Sequence, residues 1–198
     1  MSEDIKITAE PKDTESCRFI VDRPLYEGGS AYFDDQDRAS GSPLPEKLFA
    51  LEGVKTVMVQ DNKVTITAEG TGDDWLPMAK QVGAVIRTVI QSGEKPISDS
   101  LLDSMPPSEQ IKKTIEELFI REINPSIAAH GGFVELLDVK GNEVYLRLGG
   151  GCQGCGMADV TLKQGIETSI RKAVPEIGAI MDTTDHAAGR NPYYAPSK

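Results

Sequence analysis

Apolar residues recur at helical spacing just after the middle of the chain, and this spacing predicts an amphipathic helix. The helix begins at Ser108, which follows two prolines and is the candidate N-cap. Its apolar face carries Ile111, Ile115, Leu118 and Phe119. Asn124-Pro125 is expected to kink or restart the helix, because proline lacks an N–H and crowds the preceding turn. Gly131-Gly132 is expected to end it.

A hairpin and a second helix are predicted downstream. Residues 133–137 and 144–148 have the composition of strands, and Lys140-Gly141-Asn142 between them is typical of a hairpin turn. A helix follows over 157–174, where apolar residues are spaced four apart. Residues 178–181 are a candidate for a short final strand.

The first half of the chain repeats the order of helix, hairpin and helix. A strand at 19–21 precedes a helix that begins at Ser42-Pro43, with the serine as N-cap. Strands at 54–59 and 63–67 form the hairpin, and Asp73-Asp74 is expected to cap the helix after it. The pattern predicts an α+β fold of two small domains, each a β-hairpin-containing sheet packed against helices.

A Ser-, Pro- and Asp-rich stretch at 94–107 separates the two periodic regions and is expected to be a linker, with a short helical piece at Leu101-Leu102. The expected domains are therefore 1–93 and 108–184. The polar segment 185–198 is expected to be a flexible tail.

Candidate chemistry is concentrated in the loop between the second hairpin and the last helix. The chain has three cysteines, and two of them, Cys152 and Cys155, form a Cys-x-x-Cys surrounded by glycines. Thiolates are the preferred ligands of iron–sulfur clusters, and glycines allow the backbone to approach bulky inorganic sulfide and to adopt a positive φ. The helix that follows places the positive end of its dipole near the anionic thiolates.

The number of ligands limits what this loop can hold. A cubane cluster or a structural zinc ion takes about four thiolate or imidazole ligands, and the loop supplies two. Cys17 lies in the other predicted domain. Two chains that meet loop to loop would provide four cysteines in a symmetric dimer. The spacing itself leaves three functions open: a cluster carrier, a zinc-stapled adaptor and a dithiol oxidoreductase.

Charge and composition exclude several other classes. The 198-residue chain has a net charge of -10, which opposes binding to nucleic acid or to an anionic membrane surface. No Ser-His-Asp set, phosphate-binding glycine loop or paired glutamates suggests catalysis, so we expect a protein that is not an enzyme. The first residues are acidic and polar and lack the features of a secretory signal, so a cytoplasmic location is expected.

The segment 123–167 resembles the C-terminal domain of the NifU-like, or Nfu, iron–sulfur cluster carriers. The matching motifs are His130-Gly131-Gly132, the glycine-rich Cys-x-x-Cys at 149–155 and Val160-Thr161-Leu162-Lys163. The first region is similar to the Nfu N-terminal domain through Ser42-Pro43-Leu44 and Trp75, among other positions.

This resemblance implies a function. Cys152 and Cys155 are then the ligands of a [4Fe–4S] cluster, one per homodimer, with a [2Fe–2S] form left open. A cluster scaffold acts as donor and apo iron–sulfur proteins act as recipients. The N-terminal domain is expected to contact partners rather than to take part in chemistry.

Overall fold

The computed structural model describes residues 4–71, 74–129, 131–150 and 156–183. The chain divides into two compact units, Met1–Ser104 and Met105–Lys198. Each unit contains one sheet with helices, so the predicted α+β class with two small domains is confirmed. In the described residues, no helix combines the length and the hydropathy that a membrane span requires.

The first unit is built on a five-stranded antiparallel sheet with the strand order β1-β2-β5-β4-β3. Its elements are β1 (Ile7–Pro11), β2 (Ser16–Val21), β3 (Tyr26–Phe33), α1 (Pro43–Phe49), β4 (Val54–Asp61), β5 (Lys63–Ala68), α2 (Leu76–Ser92) and α3 (Ser100–Asp103). The predicted helix–hairpin–helix order corresponds to α1-β4-β5-α2. The sequence did not predict β1 and β3, which extend the hairpin sheet on both sides.

The starts of the helices in the first unit differ in detail from the prediction. Ser42 occupies the N-cap position of α1, but its hydroxyl accepts a hydrogen bond from the Ser98 N–H at 3.0 Å instead of capping the helix. Trp75, rather than an aspartate, is the N-cap of α2. The Asp74 carboxylate still accepts the Leu76 N–H at 3.0 Å, and Asp73 lies outside the described residues.

Residues 94–103, expected to form most of the linker, pack on the first unit. Ile97 is buried in its hydrophobic core. The Pro96 carbonyl accepts a hydrogen bond from the Leu44 N–H at 3.0 Å, which joins the segment to α1. The predicted short helical piece is present as α3. The tail from 184 onward lies outside the described residues.

The second unit has a three-stranded sheet with β7 between β6 and β8. Its elements are α4 (Ser108–Leu118), a π-helical turn (Phe119–Ile123), α5 (Asn124–Ala128), β6 (Gly132–Lys140), β7 (Glu143–Gly150), α6 (Gly156–Ala173) and β8 (Ile180–Asp182). Strands β6 and β7 are antiparallel, whereas β8 runs parallel to β7 after the crossover through α6. Pro107, not Ser108, is the N-cap of α4, and the Ser108 hydroxyl donates to the Gly141 carbonyl at 3.1 Å.

The π-helical turn has a local cause in Pro125. In a regular helix, the proline ring would collide with the carbonyl group of Arg121, four residues earlier. Widening the turn relieves this crowding, and the Asn124 N–H bonds to the carbonyl of Phe119, five residues back. The predicted restart at Asn124-Pro125 is therefore confirmed.

Asn124 also connects the helices to the sheet. Its side-chain oxygen accepts the Val134 N–H at 2.8 Å, and its side-chain nitrogen donates to the Val134 carbonyl at 3.0 Å. The N–H and C=O groups of Val134 point away from β7, because β6 is an edge strand, and Asn124 gives both of them a hydrogen-bond partner. The start of the hairpin is thus fixed against α5.

We predict that Asn124→Ala destabilises the second unit by roughly 1–3 kcal/mol, because two backbone groups of a part-buried strand lose their partners. Denaturant unfolding of the full chain, followed by amide signals of the second unit, measures the effect. Thr114→Ala is the control, since this hydroxyl of α4 bonds to the carbonyl of its own helix at Gln110. Equal midpoints for the two variants would contradict the role assigned to Asn124.

Candidate metal centre

The predicted ligands occupy a short connection whose two ends are well defined. Strand β7 ends at Gly150 and α6 begins at Gly156, so residues 151–155 join them. Cys152 and Cys155 lie in this connection, outside the described residues. His130, which precedes β6, lies outside the described residues as well. The described parts of the site are the strand, the helix and the glycines that border the loop.

The last residue of β7 is a position that only glycine fits. Gly150 has a φ of +67°, in the left-handed region that disfavours other residues. A Cβ built on it would lie well under 3.0 Å from the carbonyl oxygen of Gly131. Gly131 itself has a φ of +69° and donates its N–H to the Ala128 carbonyl at 2.9 Å. The backbones at the two ends of the hairpin therefore approach closely, directly before the cysteine loop.

Gly149 serves a different purpose from Gly150. It pairs across the strands with Phe133, whose ring covers the place where a Cβ of Gly149 would stand. Phe133 remains 45% exposed. The sequence predicted that these glycines allow the approach of a cluster and a positive φ, and Gly150 has a positive φ. Protein packing adds a second requirement at Gly149 and Gly150. The contact between Phe133 and Gly149 was not predicted, because it depends on the strand register.

Helix α6, which follows the loop, is anchored from Lys163 onward. Ile166 and Ile170 are buried in the core of the second unit. The ammonium group of Lys163 lies 2.8 Å from the carboxylate of Asp182 in β8. Near the end of the helix, the Arg171 guanidinium donates to the Ile177 carbonyl at 2.9 Å. The positive end of the dipole of this 18-residue helix faces the cysteine loop.

The third cysteine is part of the core of the first unit. Cys17 lies on β2 with no exposed surface, and its thiol donates a weak hydrogen bond to the Arg18 carbonyl at 3.8 Å. Burial raises the pKa of the Cys17 thiol. A buried, protonated thiol is a poor metal ligand, because metals bind the thiolate.

Residues 4–71, 74–129, 131–150 and 156–183 contain no group of three or more His, Cys, Asp and Glu side chains that could hold a metal ion. One surface depression of the first unit, with a volume of about 720 Å³, lies between the hairpin and α2. Glu52, Glu69 and Asp74 line it together with Pro77 and Met78. It offers carboxylates but no thiolate or imidazole, so the candidate centre stays at the cysteine loop.

Two family models match the chain, and each match falls within one structural unit. Residues 5–93 match the family described as the scaffold protein Nfu/NifU N-terminal domain. Residues 115–181 match the NifU-like domain family. The second match contains the hairpin, the cysteine loop and α6.

Individual relatives are similar over the second region. A protein of Stenotrophomonas maltophilia named Fe/S biogenesis protein NfuA is 58% identical over 73 residues, which are 36% of this chain and 37% of that protein. A protein of the same name from Pseudomonas aeruginosa is 53% identical over 74 residues, 37% of this chain and 38% of that protein. The alignments thus span little more than a third of the length of these relatives.

Among solved structures, the solution structure of a NifU-like protein from Saccharomyces cerevisiae is similar over 48% of this chain and 85% of that chain, with a TM-score of 0.41 and 20% identity.

The two family matches account for both predicted domains and appear in the predicted order. The chain therefore belongs to the Nfu-type NifU-like family, with an Nfu N-terminal domain followed by a NifU-like domain.

Proposed function

We propose that this protein is a homodimeric carrier that holds one [4Fe–4S] cluster between Cys152 and Cys155 of two chains and transfers it to apo iron–sulfur proteins. The cluster is the cargo of the protein and arrives from an upstream scaffold. Transfer needs ligand exchange at an accessible site rather than acid–base catalysis, so the protein is proposed not to be an enzyme.

The observation that carries this proposal is the location of the third thiol. Cys17 has no exposed surface and belongs to the core of the first unit, so it is not available as a ligand in the folded protein. Each chain is left with two thiols for metal binding, both within the five-residue connection 151–155. Because a cubane cluster takes about four cysteine ligands, two chains are required to complete the site.

Several features favour a cluster over zinc or a redox disulfide. The loop follows a glycine-rich hairpin end and precedes a helix N-terminus, where backbone N–H groups and the helix dipole stabilise an anionic thiolate–cluster complex. The similar proteins of S. maltophilia and P. aeruginosa are named Fe/S biogenesis proteins. A site that is shared between two chains also opens when the chains separate, and this suits delivery of the cluster to another protein.

Replacing either Cys152 or Cys155 by serine is expected to abolish cluster loading, because each dimer would retain two of the four thiolates. The measurement is the iron and acid-labile sulfide content per chain after anaerobic reconstitution. Wild-type protein is expected to take up about four iron atoms per dimer.

Cys17→Ser is the matched control and should load to the same level as the wild type, since this thiol is buried in the other unit. Full loading of a loop variant would contradict the ligand assignment. Zinc retained without sulfide would favour the adaptor function. A monomer that cycles between a loop disulfide and a dithiol would favour the oxidoreductase.

Gly150→Ala is expected to reduce cluster loading although both cysteines remain, because the new Cβ would collide with the Gly131 carbonyl and displace the start of the loop. Gly141→Ala is the control for backbone strain. Gly141 has a φ of +60° in the hairpin turn at the other end of the same strands, and no atom lies within 4 Å of the place where its Cβ would stand. Both variants should lose about 1 kcal/mol or more of stability, whereas loading should fall in Gly150→Ala alone.

Iron content and the free energy of unfolding, measured on the same preparations, separate the two effects. Equal loading of the two variants would show that the close approach at Gly150 does not shape the loop.

A further inference from the structure

We propose that Phe133 and the charged pair beside it form part of the surface on which a second copy of this chain docks. This surface, called here the open face, consists of Phe133, Glu135 and Arg147. The inference rests on the proposed dimeric carrier and identifies residues outside the cysteine loop that hold the two copies together.

The open face borders the cysteine loop. Phe133 pairs with Gly149, and the next pair, Gly132 with Gly150, is the last one before residue 151. Glu135 pairs with Arg147, two positions further from the loop on the same side of the hairpin. Since successive side chains of a strand alternate between faces, Phe133, Glu135, Arg147 and Gly149 share one face.

The opposite face of the hairpin is the one that the domain core uses. Val134, Leu146 and Leu148 are buried in the hydrophobic cluster of the second unit together with residues of α4 and α6. Phe133, Glu135 and Arg147 are exposed instead. A large aromatic residue is thus placed on the solvent side of the sheet, near the end of β7 from which the cysteine loop continues.

The ring of Phe133 is oriented by the protein rather than left free. It packs over Gly149, where any other residue would place a Cβ in its position. A side chain that is already ordered loses little conformational entropy when a partner covers it, and aromatic residues of this kind dominate the energetics of interfaces. Phe133 stays 45% exposed, so part of its surface is available for such a contact.

Charge supports a second copy as the occupant. The chain carries a net charge of -10, so two copies repel each other in general. On the open face, however, the Arg147 guanidinium lies 2.5 Å from the Glu135 carboxylate, and the three residues have no net charge. A two-fold axis brings the same patch of both copies together, and a patch with one positive and one negative group is complementary to itself.

The proposed shared cluster also brings these surfaces together. Four thiolates can surround one cluster only if the two loops meet, so the surfaces that border the loops approach each other. The other large, exposed apolar side chains of the described residues are Leu76, in the first unit, and Ile120, on the π-helical turn. Neither lies on the two strands of the second hairpin, whereas Phe133 pairs with Gly149, two residues before the loop begins at residue 151.

The test is the dissociation constant of the cluster-loaded dimer, measured by sedimentation velocity in an anaerobic dilution series of the full chain. Phe133→Ser is expected to weaken the dimer by about tenfold or more, because the change removes two aromatic contacts per dimer. Glu135→Arg keeps the ring on Gly149 but leaves both open faces positive, and it is expected to weaken the dimer as well. Leu76→Ser, with a side chain 60% exposed in the other unit, is the control and should leave the constant unchanged.

The outcomes separate this inference from the proposed function. If both open-face variants load iron fully and dimerise like the wild type, the inference is wrong and the carrier function stands. The inference is also wrong, and the carrier function stands, if the variants dimerise normally but transfer their cluster more slowly to an apo [4Fe–4S] protein. The open face would then contact the recipient. If the wild type takes up iron and sulfide as a single chain, the shared-cluster function itself fails. Should Phe133→Ser not fold, Glu135→Arg alone decides.

Discussion

At the loop end of the second hairpin, the backbone of β7 approaches the carbonyl group of Gly131 so closely that no side chain fits at Gly150. The connection that carries the two cysteines starts directly after this residue. On the other side, the buried Ile166 and Ile170 and the Lys163–Asp182 ion pair hold α6. Five residues therefore span two fixed ends. Rigid elements at both ends of a loop are the support that a precise binding site needs.

The proposed function requires two chains, because one chain offers too few accessible thiols for a cubane cluster. The first unit contributes a well-packed core but no accessible thiol, because Cys17 is part of that core. The second unit contributes one pair of thiols. A protein that kept four cysteines in one chain would bind its cluster more permanently, whereas a site divided between two chains is lost when they separate. Dimerisation and cargo binding are then one linked equilibrium, in which each stabilises the other.

Much of the architecture follows from the sequence, and the exceptions have physical reasons. Helices α2, α4 and α6 and both hairpins have strong periodicity, and their predicted order is confirmed. Strand β1 was missed because it is an edge strand whose burial does not alternate. Strand β3 was missed because Gly28-Gly29 and a bulge interrupt its pattern. Likewise, the packing of Ile97 on the first unit depends on contacts with α1 that lie far away in the sequence.

At the candidate site, the sequence identified the cysteine pair by its spacing, but it did not distinguish the roles of the neighbouring glycines. Gly149 accommodates a ring on the partner strand, and Gly150 accommodates a carbonyl group. Both roles depend on the register of β6 against β7, and the bulge between Leu136 and Asp138 shifts that register by one residue. The pairing of the exposed Phe133 with Gly149, close to the start of the loop, was identified only from the strand register.

Native mass spectrometry of the reconstituted protein, performed without oxygen, tests the central claim most directly. The account predicts that protein with a bound cluster has the mass of two chains plus a single cluster of about four iron and four sulfide ions, and that protein without a cluster has the mass of one chain. A single chain that carries a complete cluster would contradict it.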